Sequence, residues 1–169
     1  MAAMRDLPRL KAMYQKIIDT MNKNNIAIWD DIYPCDFFQS DIEKNRLFIA
    51  TKGDDIVAAF ALCASNDGAG ALSWKAPTEK AMYVDRFGVN VNYLRQGVGE
   101  WMLKKAMKLA AEKNAAYLRL FVVDRNLPAI NLYLKAGLQR VDGIYEQKFD
   151  DIVLREYGFE IALQTNSAS

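Results

Sequence analysis

The sequence predicts an α/β fold organised around two parallel strands that are joined by a helix. Residues 81–89 are rich in β-branched and aromatic side chains, and a tight turn with Gly97 and Gly99 follows them. A long amphipathic helix then begins at about Val98. Residues 117–123 are a nearly continuous apolar run, which is typical of a strand covered on both faces. These three observations predict a strand–helix–strand unit with parallel strands.

The N-terminal third of the chain predicts two helices and a hairpin. Apolar residues at helical spacing follow Asp6, the expected N-cap, and predict a first helix that ends at about residue 22. An aromatic, acidic loop then leads to a short helix over about residues 36–45. The strands expected next form an antiparallel pair over residues 46–52 and 56–64.

The C-terminal third predicts one more helix and two more strands. Asn126 is the expected cap of the helix, and Gly137 is placed to close it in a left-handed conformation. The last two strands are expected over residues 138–145 and 157–163, joined by residues 146–156. Residues 164–169 are a polar tail. A chain of 169 residues with 51% hydrophobic residues is therefore expected to form one domain over residues 1–169, with its core over about 6–163.

Charge and residue usage restrict the chemistry. Lys and Arg number 22 against 21 Asp and Glu, so no basic field favours nucleic acid or an anionic membrane as a partner. The chain has no histidine, which excludes Ser-His-Asp, Cys-His and His-ligated metal sites. Cys35 and Cys63 lack the spacing of a disulfide framework or a zinc site, so no metal is expected. No signal-peptide pattern or long apolar run is present, and we expect a cytoplasmic protein.

The turn before the long helix is a candidate anion site. A helix start leaves backbone N–H groups without partners and has partial positive charge, and glycines let the backbone approach a phosphate closely. Met102 stands where a dinucleotide fingerprint requires its third glycine, and no Gly-Lys-Ser/Thr follows. The Rossmann and P-loop interpretations therefore fail. An ordinary strand-to-helix turn without a ligand stays open at this point.

Two segments resemble the signatures of the GNAT superfamily of acetyl-CoA-dependent N-acetyltransferases. The segment Tyr93-Leu-Arg-Gln-Gly-Val-Gly99 resembles its pyrophosphate loop, usually Arg/Gln-x-x-Gly-x-Gly/Ala, and departs from that pattern at Leu94. Residues 126–138 resemble its Asn-x-x-Ala-x-x-x-Tyr-x-x-x-Gly-Phe segment. The resemblance covers nearly the whole chain. It implies a mixed, mostly antiparallel central sheet with flanking helices, a parallel βαβ pair at the cofactor site, and acetyl-CoA as cosubstrate without a metal.

The resemblance also implies which residues bind acetyl-CoA. Pantetheine is expected to pair with the strand backbone beside Phe87 and Val89, and Asn126 and Tyr133 are expected to face it from the following helix. The pyrophosphate is expected at one loop, formed by Leu94, Arg95, Gln96, Gly97, Val98, Gly99 and Glu100. Asn126 also has a simpler interpretation as a helix cap that contacts no ligand.

Three residues are candidates for the chemistry. By resemblance, the backbone N–H of Val89 stabilises the oxyanion and Tyr133 protonates the leaving thiolate. Tyr133 could instead be a core aromatic residue. Asp85 is the candidate base, because strand alternation places Tyr83, Asp85, Phe87 and Val89 on one face. An ion pair with a neighbour is the alternative role for Asp85.

The loop between the first two helices is the expected acceptor wall. Residues 24–43 contain no Lys or Arg, and their carboxylates are Asp30, Asp31, Asp36, Asp41 and Glu43. Beside Trp29 and Tyr33, Asp30 and its neighbours would suit a cationic amine. Alternatively, Asp36 caps a helix and the others face water.

The sequence thus predicts an enzyme that transfers acetyl from acetyl-CoA to a primary amine of a small molecule or peptide. It is expected to act as a monomer or homodimer. A catalytically quiet acyl-CoA-binding sensor or interaction module with the same fold is the alternative function.

Overall fold

The structure is a computed structural model, and it describes residues 1–149 and 151–164. Its helices are α1 (Leu7–Lys23), α2 (Phe38–Glu43), α3 (Val98–Glu112) and α4 (Leu127–Lys135). Its strands are β1 (Leu47–Lys52), β2 (Asp55–Cys63), β3 (Leu72–Ser73), β4 (Ala81–Val89), β5 (Tyr117–Val123), β6 (Gln139–Arg140), β7 (Asp142–Gly143), β8 (Tyr145–Phe149) and β9 (Ile152–Ala162). Of the polar tail predicted over 164–169, residues 165–169 lie outside the described part.

The larger sheet confirms the predicted fold class. Its strand order is β1-β2-β4-β5-β9-β6, and β8 also pairs with β9. The β4–β5 pair is parallel, whereas the pairs β1–β2, β5–β9, β6–β9 and β8–β9 are antiparallel. The fold is therefore a mixed α/β fold with a mostly antiparallel sheet. The described chain divides into two compact units, so the boundary of one domain over 1–169 stays a prediction.

The first unit contains Met1–Leu62 and Arg86–Met102. Helix α1 buries the apolar face that its periodicity predicts, including Leu10, Tyr14 and Ile18. Strands β1 and β2 form the expected hairpin, and Gly53 adopts a φ of +59° in its turn. Asp6 occupies the N-cap position, but its carboxylate accepts a hydrogen bond from the backbone N–H of Ala3 instead of capping α1.

The second unit contains Cys63–Asp85 and the chain from Leu103 onward. Strand β5 is buried along most of its length between β4 and β9, as its apolar sequence predicts. Helix α4 begins after Asn126, and Gly137 follows its end with a φ of +92°.

Paired strands occupy two connecting segments of this unit. The segment 146–156, predicted to join the last two strands, itself forms most of β8 and the beginning of β9. Its residues are mostly exposed, and Glu146 and Arg155 pair across the strands at 3.6 Å. Without a buried face, the segment lacks the hydrophobic alternation from which strands are recognised. The segment 65–78, which connects β2 to β4, contains β3, and β3 pairs with β7.

Candidate active site

In the first unit, the loop before α3 has the backbone shape that an anion site requires. Helix α3 begins at Val98 as predicted, and its first hydrogen bond runs from Trp101 N to the carbonyl of Gly97. Arg95 and Gly97 have φ values of +59° and +77°. A Cβ atom added to Gly97 would meet nothing within 4 Å, so the loop backbone is open at this position. The helix start and open backbone together fit a bound phosphate.

Asn90 anchors the start of this loop, and the sequence analysis missed it. Its side chain is buried, its Nδ2 donates to the carbonyl of Ile56 at 2.8 Å, and its Oδ1 accepts from Asn92 N at 3.0 Å. Its backbone N–H donates to Val57 at 2.9 Å. Among the residues expected at the pyrophosphate, Leu94 to Gly97 are exposed, whereas Val98, Gly99 and Glu100 are half-buried.

The end of β4 departs from a regular strand. Arg86 has a φ of +54°, which is not extended backbone and interrupts the alternation of side chains. The argument that alternation places Asp85 and Val89 on one face therefore does not hold. Tyr14 donates its hydroxyl to the carbonyl of Arg86, and a Cβ atom on Gly88 would lie 2.8 Å from the Tyr14 ring. Burial raises the pKa of Tyr14 well above its usual value, so the phenol stays a hydrogen-bond donor.

A buried ion-pair network holds the Arg86 side chain. Asp41 on α2 is fully buried, and its two oxygens accept from Arg86 Nε at 2.6 Å and Arg86 Nη2 at 2.9 Å. Arg46 Nε also donates to Asp41 at 2.7 Å. The guanidinium of Arg86 lies over the Phe37 ring, with Cζ 5.4 Å from its centroid. Asp41 is therefore committed to two arginines and cannot belong to an acidic acceptor wall.

The predicted acceptor residues form an aromatic wall with a structured turn. Trp29 stacks on Tyr14 with ring centroids 5.5 Å apart and meets Tyr33 edge-on at 6.4 Å. Trp29 and Tyr33 are half-buried, and Asp30 is exposed. The carboxylate of Asp30 accepts from the backbone N–H groups of Ile32 and Tyr33 at 2.8 and 2.7 Å. Asp30 thus shapes the loop through an Asx turn. Asp36 makes no side-chain cap hydrogen bond.

In the second unit, Asp85 lies beside the parallel strand pair. The β4–β5 register runs from Ala81 opposite Tyr117 to Val84 opposite Leu120, and Asp85 is the next residue. Asp85 is half-buried, and its Oδ1 accepts from Asn66 Nδ2 at 3.1 Å. Asn66 Oδ1 in turn accepts from the backbone N–H of Gly68. A neutral amide therefore orients this carboxylate.

Glu156 is a second carboxylate in this unit that the sequence analysis did not identify. It is half-buried on β9, opposite Val123 on β5 and Tyr145 on β8. Gln147 Nε2 donates to its Oε2 at 2.6 Å. Burial raises the pKa of Glu156, the Gln147 hydrogen bond lowers it, and the charge of Asp85 raises it. No motif marks Glu156, because only strand pairing brings it near Asp85.

The two residues of the second motif take structural positions in α4. Asn126 caps the helix, with its Oδ1 accepting from Ala129 N at 3.4 Å. Tyr133 is 6% exposed, and its ring lies 6.2 Å from that of Phe159. The cap and core interpretations of these residues therefore hold, and either residue could contact a ligand in addition.

The described residues also bear on metal sites and membrane spans. Within residues 1–149 and 151–164, no group of three or more His, Cys, Asp or Glu side chains is arranged to hold a metal ion. In the same part of the chain, the helices are too short or too polar to cross a membrane.

Comparison with known proteins identifies the family. Residues 10–138 match the family described as "Acetyltransferase (GNAT) family". Thialysine N-epsilon-acetyltransferases are similar over part of their length: the pig protein is 30% identical over 47% of this chain and 48% of its own, and the mouse protein is 32% identical over the same shares. The chain thus spans about half the length of these relatives.

Solved structures show the same fold over more of the chain. A GNAT-family acetyltransferase from Streptococcus agalactiae has a TM-score of 0.79 at 10% identity, covering 97% of this chain and 94% of its own. One from Listeria monocytogenes has a TM-score of 0.72 at 18% identity, covering 96% and 92%. At these identities the similarity establishes the fold alone. Because the family match extends over most of the residues, the chain belongs to the GNAT acetyltransferase family.

Proposed function

We propose that this protein transfers the acetyl group of acetyl-CoA directly to a primary amine. The observation that supports this most strongly is the loop before α3, where Arg95 and Gly97 have positive φ and the backbone is open at Gly97. Such a loop at a helix start fits the pyrophosphate of CoA. The departure at Leu94 removes one polar side chain but no backbone N–H group, so the fit is retained.

The remaining contacts to acetyl-CoA are assigned by family membership. The backbone of Phe87 and Val89 would pair with pantetheine, and Asn126 would hydrogen-bond its amide. The other members of the pyrophosphate loop, Arg95, Gln96, Val98, Gly99 and Glu100, would lie along the phosphates. No metal is needed for direct transfer.

The reaction requires protons to move at two points. A primary alkyl amine is mostly protonated at neutral pH, so its ammonium must lose one proton before attack. The N–C bond then forms, the C–S bond breaks, and the nitrogen loses a second proton while the thiolate gains one. The products are an amide, CoA thiol and one released proton. Asp85 is the proposed base, Val89 N–H the oxyanion donor and Tyr133 the proton donor to sulfur.

The acceptor is proposed to be a small-molecule or peptide amine. Trp29 and Tyr33 offer aromatic surface for it, and Asp30 is exposed beside them. The relatives named for thialysine acetylation make thialysine and lysine the first acceptors to test. The cytoplasmic location and the state as a monomer or homodimer stay predictions.

The test is an amine panel in which release of the CoA thiol is followed. We expect thiol release that depends on the amine, with at least one acceptor above the rate of acetyl-CoA hydrolysis. Acetyl-CoA that binds in calorimetry but gives no thiol release with any amine would contradict the transferase. That result would favour the catalytically quiet sensor.

A further inference from the structure

Two carboxylates lie on one face of the sheet in the second unit. Tyr83, Arg119 and Glu160 are aligned across β4, β5 and β9, and Arg119 Nε contacts Glu160 at 3.2 Å on their shared face. Alternate residues of a strand point to the same face. Asp85, two residues after Tyr83, and Glu156, four residues before Glu160, therefore point to this face as well.

Aromatic rings cover the sheet around these carboxylates. Phe121 lies on the same face of β5, with its ring centroid 6.4 Å from that of Tyr83 and 5.9 Å from that of Tyr145. Gly158, directly opposite Phe121 on β9, has no side chain, and the side chains of Leu72 and Trp74 fill the space beside it. The face thus combines half-buried carboxylates with aromatic surface, the two features that bind an organic ammonium.

Charged and titratable groups surround the two carboxylates. Arg119 and Glu160 form an ion pair, so their charges compensate each other. Asn66 donates an amide hydrogen bond to Asp85, and Gln147 donates one to Glu156. The titratable groups that the strands place on this face are Tyr83 and Asp85 on β4, Tyr117 and Arg119 on β5, Tyr145 on β8, and Glu156 and Glu160 on β9. Beside them, Lys75 donates its backbone N–H to Glu160. Glu146 and Arg155 pair with each other on the opposite face of the hairpin.

We infer that Glu156 is a catalytic residue that acts with Asp85: the two carboxylates bind the acceptor ammonium, Glu156 accepts the proton that the ammonium loses before attack, and Asp85 remains the base for the second proton that the nitrogen loses. The inference rests on the proposed transferase function. It implies that the acceptor substrate is an alkyl amine that binds in its protonated form. The proton passes from Glu156 to solvent after transfer, which accounts for the one proton that the overall reaction releases.

The environment of Glu156 suits this role. Burial raises its pKa, and the charge of Asp85 opposes the lowering by the Gln147 hydrogen bond. A base with a raised pKa accepts a proton more readily from an ammonium than an ordinary carboxylate does. Because the base must be deprotonated to act, the acid limb of kcat/KM against pH should lie above the usual range of a glutamate.

The experiment compares Glu156→Gln with Glu146→Gln. The first keeps the shape of the side chain and an oxygen that can accept from Gln147. The second removes the same charge from the opposite face of the same hairpin and is the control. Each is assayed with the best alkyl amine of the panel and with aniline, whose nitrogen is uncharged at neutral pH, and acetyl-CoA affinity is measured by calorimetry.

We expect Glu156→Gln to lower kcat/KM for the alkyl amine by about a hundredfold or more, the usual contribution of general base catalysis. Its acid limb should move to lower pH, and its acetyl-CoA affinity should stay as in wild type. The loss with aniline should be much smaller, and Glu146→Gln should resemble wild type. Equal losses with both amines, or an unmoved acid limb, would overturn the role of Glu156 while leaving the transferase in place. Wild-type protein that acetylates no amine would overturn both.

Discussion

At the scale of single residues, Tyr133 shows how one side chain can serve both the core and the chemistry. Its ring is packed against Phe159, which fixes the position of the phenol. A proton donor benefits from such fixation, because a correctly placed donor needs no rearrangement in the transition state. The packing therefore does not argue against the proposed role.

Tyr133→Phe separates these roles, since it keeps the ring and removes the hydroxyl. A proton donor to the leaving thiolate acts in the transition state, so kcat should fall by about a hundredfold while the acetyl-CoA Kd changes little. The measurements are kcat, the acetyl-CoA Kd and Tm on the same variant. Full turnover under conditions where chemistry limits the rate would remove Tyr133 from the catalytic residues. A parallel fall in Tm and activity would indicate a structural hydrogen bond instead.

Single residues also show which structural features the sequence could predict and which it could not. The positive φ of Gly137 was predicted from its position after the helix, and it is observed at +92°. The sequence also predicted the turn at Gly97, but the positive φ of Gly97 was not predicted. Asp41 was grouped with the acidic wall because Arg86, one of its two partners, is distant in sequence. Its ion pair with Arg86, 45 residues away, forms only when α2 packs in the folded protein. The sequence analysis missed Glu156 for the same reason, because only the folded sheet brings it near Asp85.

At the scale of elements, α2 and β4 are joined through one buried carboxylate. Asp41 lies on α2, and the arginine that it holds is the residue at which β4 leaves the extended conformation. Left-handed backbone is unfavourable for a side chain with a Cβ atom by about 1–2 kcal/mol. The ion pair and the Tyr14 hydrogen bond offset this cost and keep the segment before Phe87–Val89 in one conformation.

Asp41→Asn should therefore be strongly destabilising. It removes the charge that compensates the buried Arg86, and breaking one side of a buried ion pair costs about 3–5 kcal/mol. The free energy of unfolding in urea would measure this loss. Asp36→Asn is the matched control, because Asp36 is exposed on the preceding turn and should change stability by less than about 0.5 kcal/mol. Similar stabilities for both variants would contradict a stabilising role for the network.

The elements that the sequence predicted well are those with a buried face. Helix α1, the β1–β2 hairpin and strand β5 each bury apolar residues in a regular period, and their limits agree with the prediction within a residue or two. The β8–β9 hairpin has exposed apolar residues near its turn, including Phe149, Ile152 and Val153. Pairing with a neighbour, not burial, defines such strands, and pairing partners are not encoded in local sequence.

At the scale of the whole molecule, binding of acetyl-CoA should appear as a gain in stability. A ligand that binds only the native state stabilises by about 2.7 kcal/mol at a concentration a hundred times its Kd. For a chain of this length, each kcal/mol raises Tm by about 2–4 °C. The expected shift at that concentration is thus about 5–11 °C.

Gly97→Val tests whether this shift comes through the loop before α3. The change costs about 1–2 kcal/mol in backbone strain because Gly97 has a positive φ, and its side chain would enter the open space assigned to the pyrophosphate. Gly53→Val is the matched control: Gly53 has a φ of +59° and also has nothing within 4 Å of an added Cβ, but it lies in the β1–β2 turn. Both variants should therefore melt at a similarly lowered temperature without ligand. With acetyl-CoA, Gly53→Val should regain the full shift and Gly97→Val little or none, whereas a full shift in Gly97→Val would place the phosphates elsewhere.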